Sequence, residues 1–82
     1  MAPTPDPEAL VRYLVTSLVD TPDSVKIERV EDAGEVILEI TVDPDDVGKV
    51  VGKQGRIIKA IRTLARAASA TDDTPVHVEV IG

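Results

Sequence analysis

Residues 47 to 71 of this chain carry Lys49, Lys53, Arg56, Lys59, Arg62 and Arg66 and not one Asp or Glu. Inside that stretch, Gly52-Lys53-Gln54-Gly55 joins two short segments with apolar patterning. Glycine is needed where the backbone turns through positive φ, or where another chain must approach it closely. If the second segment is a helix that begins at about Gly55, its free backbone N–H groups and the positive end of its dipole point into the loop. Such an end is a ready anion site. Lys53 adds a point charge beside it and Gln54 adds donors. Arg56 and Lys59 follow three residues apart, and Arg62 and Arg66 continue the series. The chemistry on offer is the holding of phosphate.

Two familiar phosphate-binding patterns fail on these residues. A Walker loop needs four residues between its glycines and Ser or Thr after the Lys. Here three residues separate Gly48 from Gly52, and Gln54 follows Lys53. The dinucleotide fingerprint needs Gly two residues before Gly52, where Val50 stands, and a strand leading into the loop. The net charge of -6 taken alone speaks against a nucleic-acid partner. Its distribution reverses that inference, because the 47 to 71 segment is +6 and the remainder is -12. Local potential, not the whole-chain sum, decides what a surface attracts. The rival reading is a solvated helix face that happens to be basic.

Other chemistry finds little support. The chain has no Cys, which removes a disulfide scaffold, a thiolate zinc site and a thiol nucleophile. The lone His77 sits in an alternating segment and reads as structural or surface. Asp45-Asp46 is explained by a role in the first turn of a helix, and Asp72-Asp73 reads as a turn. Ser17, Ser24 and Ser69 have no His nearby in sequence to activate them. No enzyme, metal or cofactor is implied. No run of about 18 apolar residues exists to span a membrane. The first six residues lack the basic and apolar regions of a secretory signal. The expected setting is soluble and cytoplasmic. With one Tyr and no Phe or Trp, bases cannot be held by serial aromatic stacking. Aliphatic packing and backbone hydrogen bonds must serve instead, which predicts weak, loosely specific binding by a lone domain. Higher affinity would need a second domain through dimerisation.

The elements that must position the loop follow from periodicity. Eighty-two residues allow one domain. Residues 1 to 6 are read as a flexible terminus and 7 to 82 as the domain. Asp6-Pro7-Glu8 is a helix start, and Leu10, Val11, Leu14, Val15, Leu18 and Val19 form one apolar stripe to about Val19. Thr21-Pro22-Asp23 stops it. Val25 to Val30 and Glu35 to Val42 are strands joined by a turn at Asp32-Ala33-Gly34. In the second of them Ile37 breaks the polar face and is a candidate contact for a partner or ligand. Asp43-Pro44-Asp45-Asp46 starts a short helix carrying Val47, Val50 and Val51. After the glycine loop, a second helix places Ile58, Ile61, Leu64 or Ala65, and Ala68 at helical spacing and ends near Thr71-Asp72-Asp73. Val76 to Val80 is the last strand. The order α-β-β-α-α-β predicts an α+β fold, a three-stranded sheet with three helices on one face.

Val51-Gly52-Lys53-Gln54-Gly55 followed by Ile58-Lys59-Ala60-Ile61 resembles the core motif of KH domains, an apolar residue, GXXG, and Ile-x-x-Ile two residues on. The element order matches the bacterial type II KH arrangement. The resemblance covers about Pro7 to Ile81, and a single domain of this size is similar to a group of small bacterial single-KH RNA-binding proteins. It implies a groove for single-stranded RNA, or single-stranded DNA, whose backbone is clamped by the GXXG loop over about four nucleotides. Gly52, Lys53, Gln54 and Gly55 would hold the backbone. Val47, Val51 and Ile58 would floor the groove, and Lys49, Arg56 and Lys59 would flank it. The variable loop would fall near Glu31 to Gly34, where it is short and acidic. The resemblance further implies a homodimer, or a heterodimer with a larger multidomain KH-containing protein. It also implies an RNA chaperone or post-transcriptional regulator tied to cell shape and cell-wall biogenesis. The alternative is a protein-interaction module that keeps the fold for dimerisation, with RNA incidental.

Overall fold

A computed structural model describes residues 6 to 69 and 74 to 81. Residues 1 to 5 of the expected flexible terminus and the turn at residues 71 to 73 lie outside those residues. Helix α1 spans Pro7–Leu18, with Pro7 at its first position and the Asp6 side chain accepting from the Glu8 amide. Strands β1 (Lys26–Asp32) and β2 (Glu35–Thr41) follow. Helix α2 (Val47–Val51) is entered through a tight turn at Pro44–Asp46. Helix α3 (Arg56–Ala68) and strand β3 (Val76–Val80) complete the order read from the sequence. Strand β1 begins and ends later than expected, because Val25 closes a turn at Pro22–Ser24 instead of opening the ladder.

The sheet order is β1-β2-β3, with β1 antiparallel and β3 parallel to β2. A parallel neighbour requires a long crossover, and α2, the glycine loop and α3 supply it. The glycine loop is therefore part of the segment that the topology forces over one face of the sheet. Val36, Leu38 and Ile40 of β2 point under the helices and are buried, as are Val76 and Val78 of β3. They meet Val11 and Val15 of α1, Val50 of α2, and Ile58, Ile61 and Ala65 of α3 in one core.

The opposite face of the sheet is open. There Glu28, Glu39 and Glu79 lie side by side across all three strands, and Val30, Ile37 and His77 form the next row. Ile37, singled out as a break in the polar face, is thus half-buried opposite Val30. Among the described residues no helix is long and apolar enough to cross a membrane.

The β1–β2 hairpin turns on two residues, Ala33 (φ 53°) and Gly34 (φ 80°). Positive φ at both positions is what the right-handed strand twist demands of a two-residue turn. Glycine adopts it freely and alanine does not. Replacing Ala33→Asn, which tolerates that region, is expected to stabilise the fold by roughly 0.5–1 kcal/mol, measured as a shift in the urea midpoint at unchanged slope.

Candidate nucleic-acid interface

The loop between α2 and α3 is built on three departures from ordinary backbone within four residues. Gly52 has φ 75° and ψ 174°, Gln54 has φ 58°, and Gly55 has φ 71°. The Gly52 combination is essentially reserved for glycine. Space excludes a side chain there as well. A Cβ on Gly52 would lie 2.6 Å from Ile57 Cγ1 and 2.9 Å from its Cβ and Cδ1. Ile57 is half-buried against the core, so it cannot swing aside without exposing apolar surface. Gly55 is left-handed but has open space around it, with Ile58 at 3.8 Å.

Tight bonds hold the turn. The Gly52 amide donates to the Gly48 carbonyl at 2.9 Å, and the Gly55 amide donates to the Gly52 carbonyl at 3.2 Å. Lys53 and Gln54 are exposed at its tip. No side chain caps the start of α3. Arg56 Nη2 donates to Gln54 Oε1 at 3.2 Å, which lays the guanidinium back over the loop. Lys59, one turn on, is exposed, and neither it nor Lys53 is ion-paired among the described residues.

The other named residues divide. Val47 and Val51 are half-buried at the margin of the core. Ile58 is only 7% exposed and is packed in the core. Lys49 does not stand free beside the loop. Its ammonium lies 2.6 Å from Asp20 Oδ2 and 3.1 Å from Asp46 Oδ1. Asp46 is 2% exposed and also accepts from the Thr21 amide at 3.1 Å. Asp45 and Asp46 lie in the first turn as the sequence predicts, and the Asp46 carboxylate is in addition a buried anchor joining the end of α1 to α2. Asp43 is the residue that caps, accepting from the Asp45 amide at 2.9 Å.

Burial alone would push the Asp46 carboxyl up. The hydrogen bonds from Lys49 and from the backbone amides of Thr21 and Asp20 outweigh it and hold the group below its ordinary value. Asp20, then Asp46, hold the Lys49 ammonium above its ordinary value. Further along α3, Arg62 Nε donates to the Val78 carbonyl at 3.1 Å, pinning the helix to the outer edge of β3. The sequence contains no periodic signal for either link, since the partners are 29 and 16 residues apart.

A short α2, a glycine-bounded loop, a basic α3 and a mixed three-stranded sheet define a KH-type module. A model of the KhpA/KhpB KH domain matches residues 8–80. The chain belongs to that KhpA/KhpB KH-domain family. It is 49% identical over 72 residues to the RNA-binding protein KhpA of Clostridium acetobutylicum, covering 88% of this chain and 96% of that one. It is 42% identical over 69 residues to the KhpA of Chlamydia trachomatis, covering 84% and 88%. Among solved structures, an Era variant of Aquifex aeolicus bound to GDP and aluminium fluoride superposes with a TM-score of 0.60 at 26% identity, over 90% of this chain and 29% of that chain. An Era complex with MgGDPNP and nucleotides 1506–1542 of 16S ribosomal RNA superposes at 0.61, with 23% identity, over 90% and 28%.

The two loop glycines differ in what they tolerate. Gly52→Ala meets both a forbidden backbone and a collision and is expected to cost more than about 2 kcal/mol. Gly55→Ala meets only the left-handed penalty of about 1–2 kcal/mol. Urea unfolding of the two variants measures the difference. Acid unfolding reports on the anchor. Because the folded pKa of Asp46 lies below its unfolded value of about 3.9, its contribution is present above that pH and lost as pH falls through the folded value. Asp46→Asn is expected to be less stable near neutrality and to lose less stability than the parent between about pH 4 and 2, as read by thermal melts.

Proposed function

We propose that this protein binds single-stranded RNA without catalysing a reaction, holding the sugar-phosphate backbone at the Gly52-Lys53-Gln54-Gly55 loop and the first turns of α3. One observation carries this reading. The loop backbone is fixed by Gly52 against Ile57, while Lys53 and Gln54 stand exposed beside an uncapped helix start. A strand bound there meets donors and a cation that need no rearrangement. The RNA-binding names of the KhpA relatives, which this chain nearly spans, support the same reading. Lys53, Arg56 and Lys59 supply the charge. Lys49 acts through the Asp20–Asp46 anchor and contributes less, because two carboxylates already neutralise it.

The finer expectations extend this reading. An RNA chaperone needs a grip that is weak per domain and repeated, and two copies of a loop without aromatic stacking provide that. Helix α3 has a flank suited to pairing. Ala60, Leu64 and Ala67 are exposed on the side of the helix away from Arg62, with Leu64 at 45%. A homodimer, or a pair with a larger KH-containing protein, would cover them. The reading places the protein in the cytoplasm of a bacterial cell, where RNA is available.

The test is a filter-binding series on an unstructured RNA. Lys53→Asp with Gln54→Asp is expected to abolish retention while leaving the melting temperature nearly unchanged. For the parent protein, two or three phosphates neutralised predict a slope of log K against log salt of roughly -1.4 to -2.1. RNA retention that survives the double change would sink the loop assignment. A stable nucleic-acid-free oligomer that gains no RNA on addition would instead favour an interaction module.

A further inference from the structure

We propose that the open face of the sheet docks an extended cationic segment of another protein, in which basic and aliphatic side chains take turns at every second position. The proposal goes beyond the RNA-binding reading and does not depend on it, because α2 and α3 pack on the other side of the sheet.

The register lays this face out in rows. Glu39 stands between Glu28 and Glu79, Ile37 stands between Val30 and His77, and Asp32 lies opposite Glu35. The residues that alternate with them on β2 and β3 are those buried under the helices, so the rows point away from the core. Neighbouring strands are about 4.8 Å apart, which sets three carboxylates abreast within roughly 10 Å. Like charges placed directly opposite one another are destabilising. None of the three is ion-paired among the described residues. Beside them Val30 and Ile37 are half-buried, and a chain lying over them would remove more apolar surface from water.

Charge selects the occupant. Five carboxylates on this face against Lys26 repel RNA and anionic lipid alike. A second copy carries the same net charge of -6 and is repelled as a whole. Among the described residues no group of acidic and His side chains is placed to hold a metal ion. A protein segment with Arg or Lys answers the row, and an Arg fork donates two parallel bonds to one carboxylate. Spacing selects the pattern. Successive rows are two residues apart along a strand, about 6.8 Å, and residues i and i+2 of any extended segment share one face at that interval. The face reads acid, apolar, acid. Its complement is Arg-x-Leu-x-Arg, which sets one Arg on the Glu28-Glu39-Glu79 row, Leu on Val30 and Ile37, and the next Arg beside Asp32 and Glu35.

The experiment is an NMR titration of the full chain with the peptide Arg-Ser-Leu-Ser-Arg-Ser-Leu-Ser-Arg. Amide signals of residues 28 to 39 and 77 to 79 are expected to move, while those of residues 52 to 55 stay. Replacing each Leu of the peptide by Ser should weaken binding about fivefold. Glu28→Gln with Glu39→Gln should weaken it roughly tenfold and leave the melting temperature equal or higher, since opposed like charges are removed. Asp23→Asn with Asp45→Asn, which removes two exposed acids elsewhere, should hold affinity within about twofold of the parent. No binding of the peptide, an equal loss in the second pair of changes, or a lower melting temperature in the first overturns the proposal. Signals of this face that move on concentrating the protein alone overturn it too, by giving the face to a second copy. Each of these results leaves RNA retention at the loop as a separate question with its own test.

Discussion

The close approach of Ile57 to Gly52 is the constraint on which the interface depends. Two helices must change direction across the four residues 52 to 55 while both stay packed in the same core. Ile57 fills the inside of that bend, leaving no volume for a side chain at position 52. The chain then has to take positive φ at Gly52, Gln54 and Gly55. One consequence is that Lys53 and Gln54 are thrown to the outside. The loop is thus rigid where it is apolar and exposed where it is polar, which suits a group meant to meet a ligand without ordering itself first.

Around that bend the charges serve two purposes. Lys49, Asp20 and Asp46 are spent on architecture, binding the end of α1 to the helix that leads into the loop. Arg62 does the same between α3 and the edge of the sheet. Lys53, Arg56 and Lys59 remain exposed to solvent. The basic segment that looks uniform in the sequence is therefore divided between residues that hold the frame and residues that face outward. A buried carboxylate of this kind is tolerable only because every partner is in place. Removing Lys49 would leave Asp46 with backbone amides alone and no countercharge.

Much of this was legible before any coordinates. The apolar stripe of α1, the strict alternation of Val36, Leu38 and Ile40, and the Asp-Pro starts of two helices are local signals, and they mark elements whose burial follows from their own period. The Gly-Lys-Gln-Gly spacing located the loop for the same reason. The links that were not legible are non-local. Asp46 reads as a helix-start acid because its neighbours are Asp43, Pro44 and Asp45, and nothing nearby hints that Thr21 will reach it. Lys49 reads as free because Asp20 is far away in sequence. Ile58 has the spacing of both a core residue and a groove residue, and only packing separates the two. Val25 has the β-branched character of a strand but closes a turn instead.

The open face of the sheet gives the molecule a polarity of its own. Glu28, Glu39 and Glu79 stand in one row on the side away from the helices, while Lys53, Arg56 and Lys59 ride on the helical layer. A polyanion drifting toward this protein meets repulsion from the acidic row and attraction from the basic helical layer, so tumbling in its field turns that layer toward it before contact. A small acidic protein can in this way capture an acidic polymer, and the same rear surface would discourage one strand from wrapping fully around it.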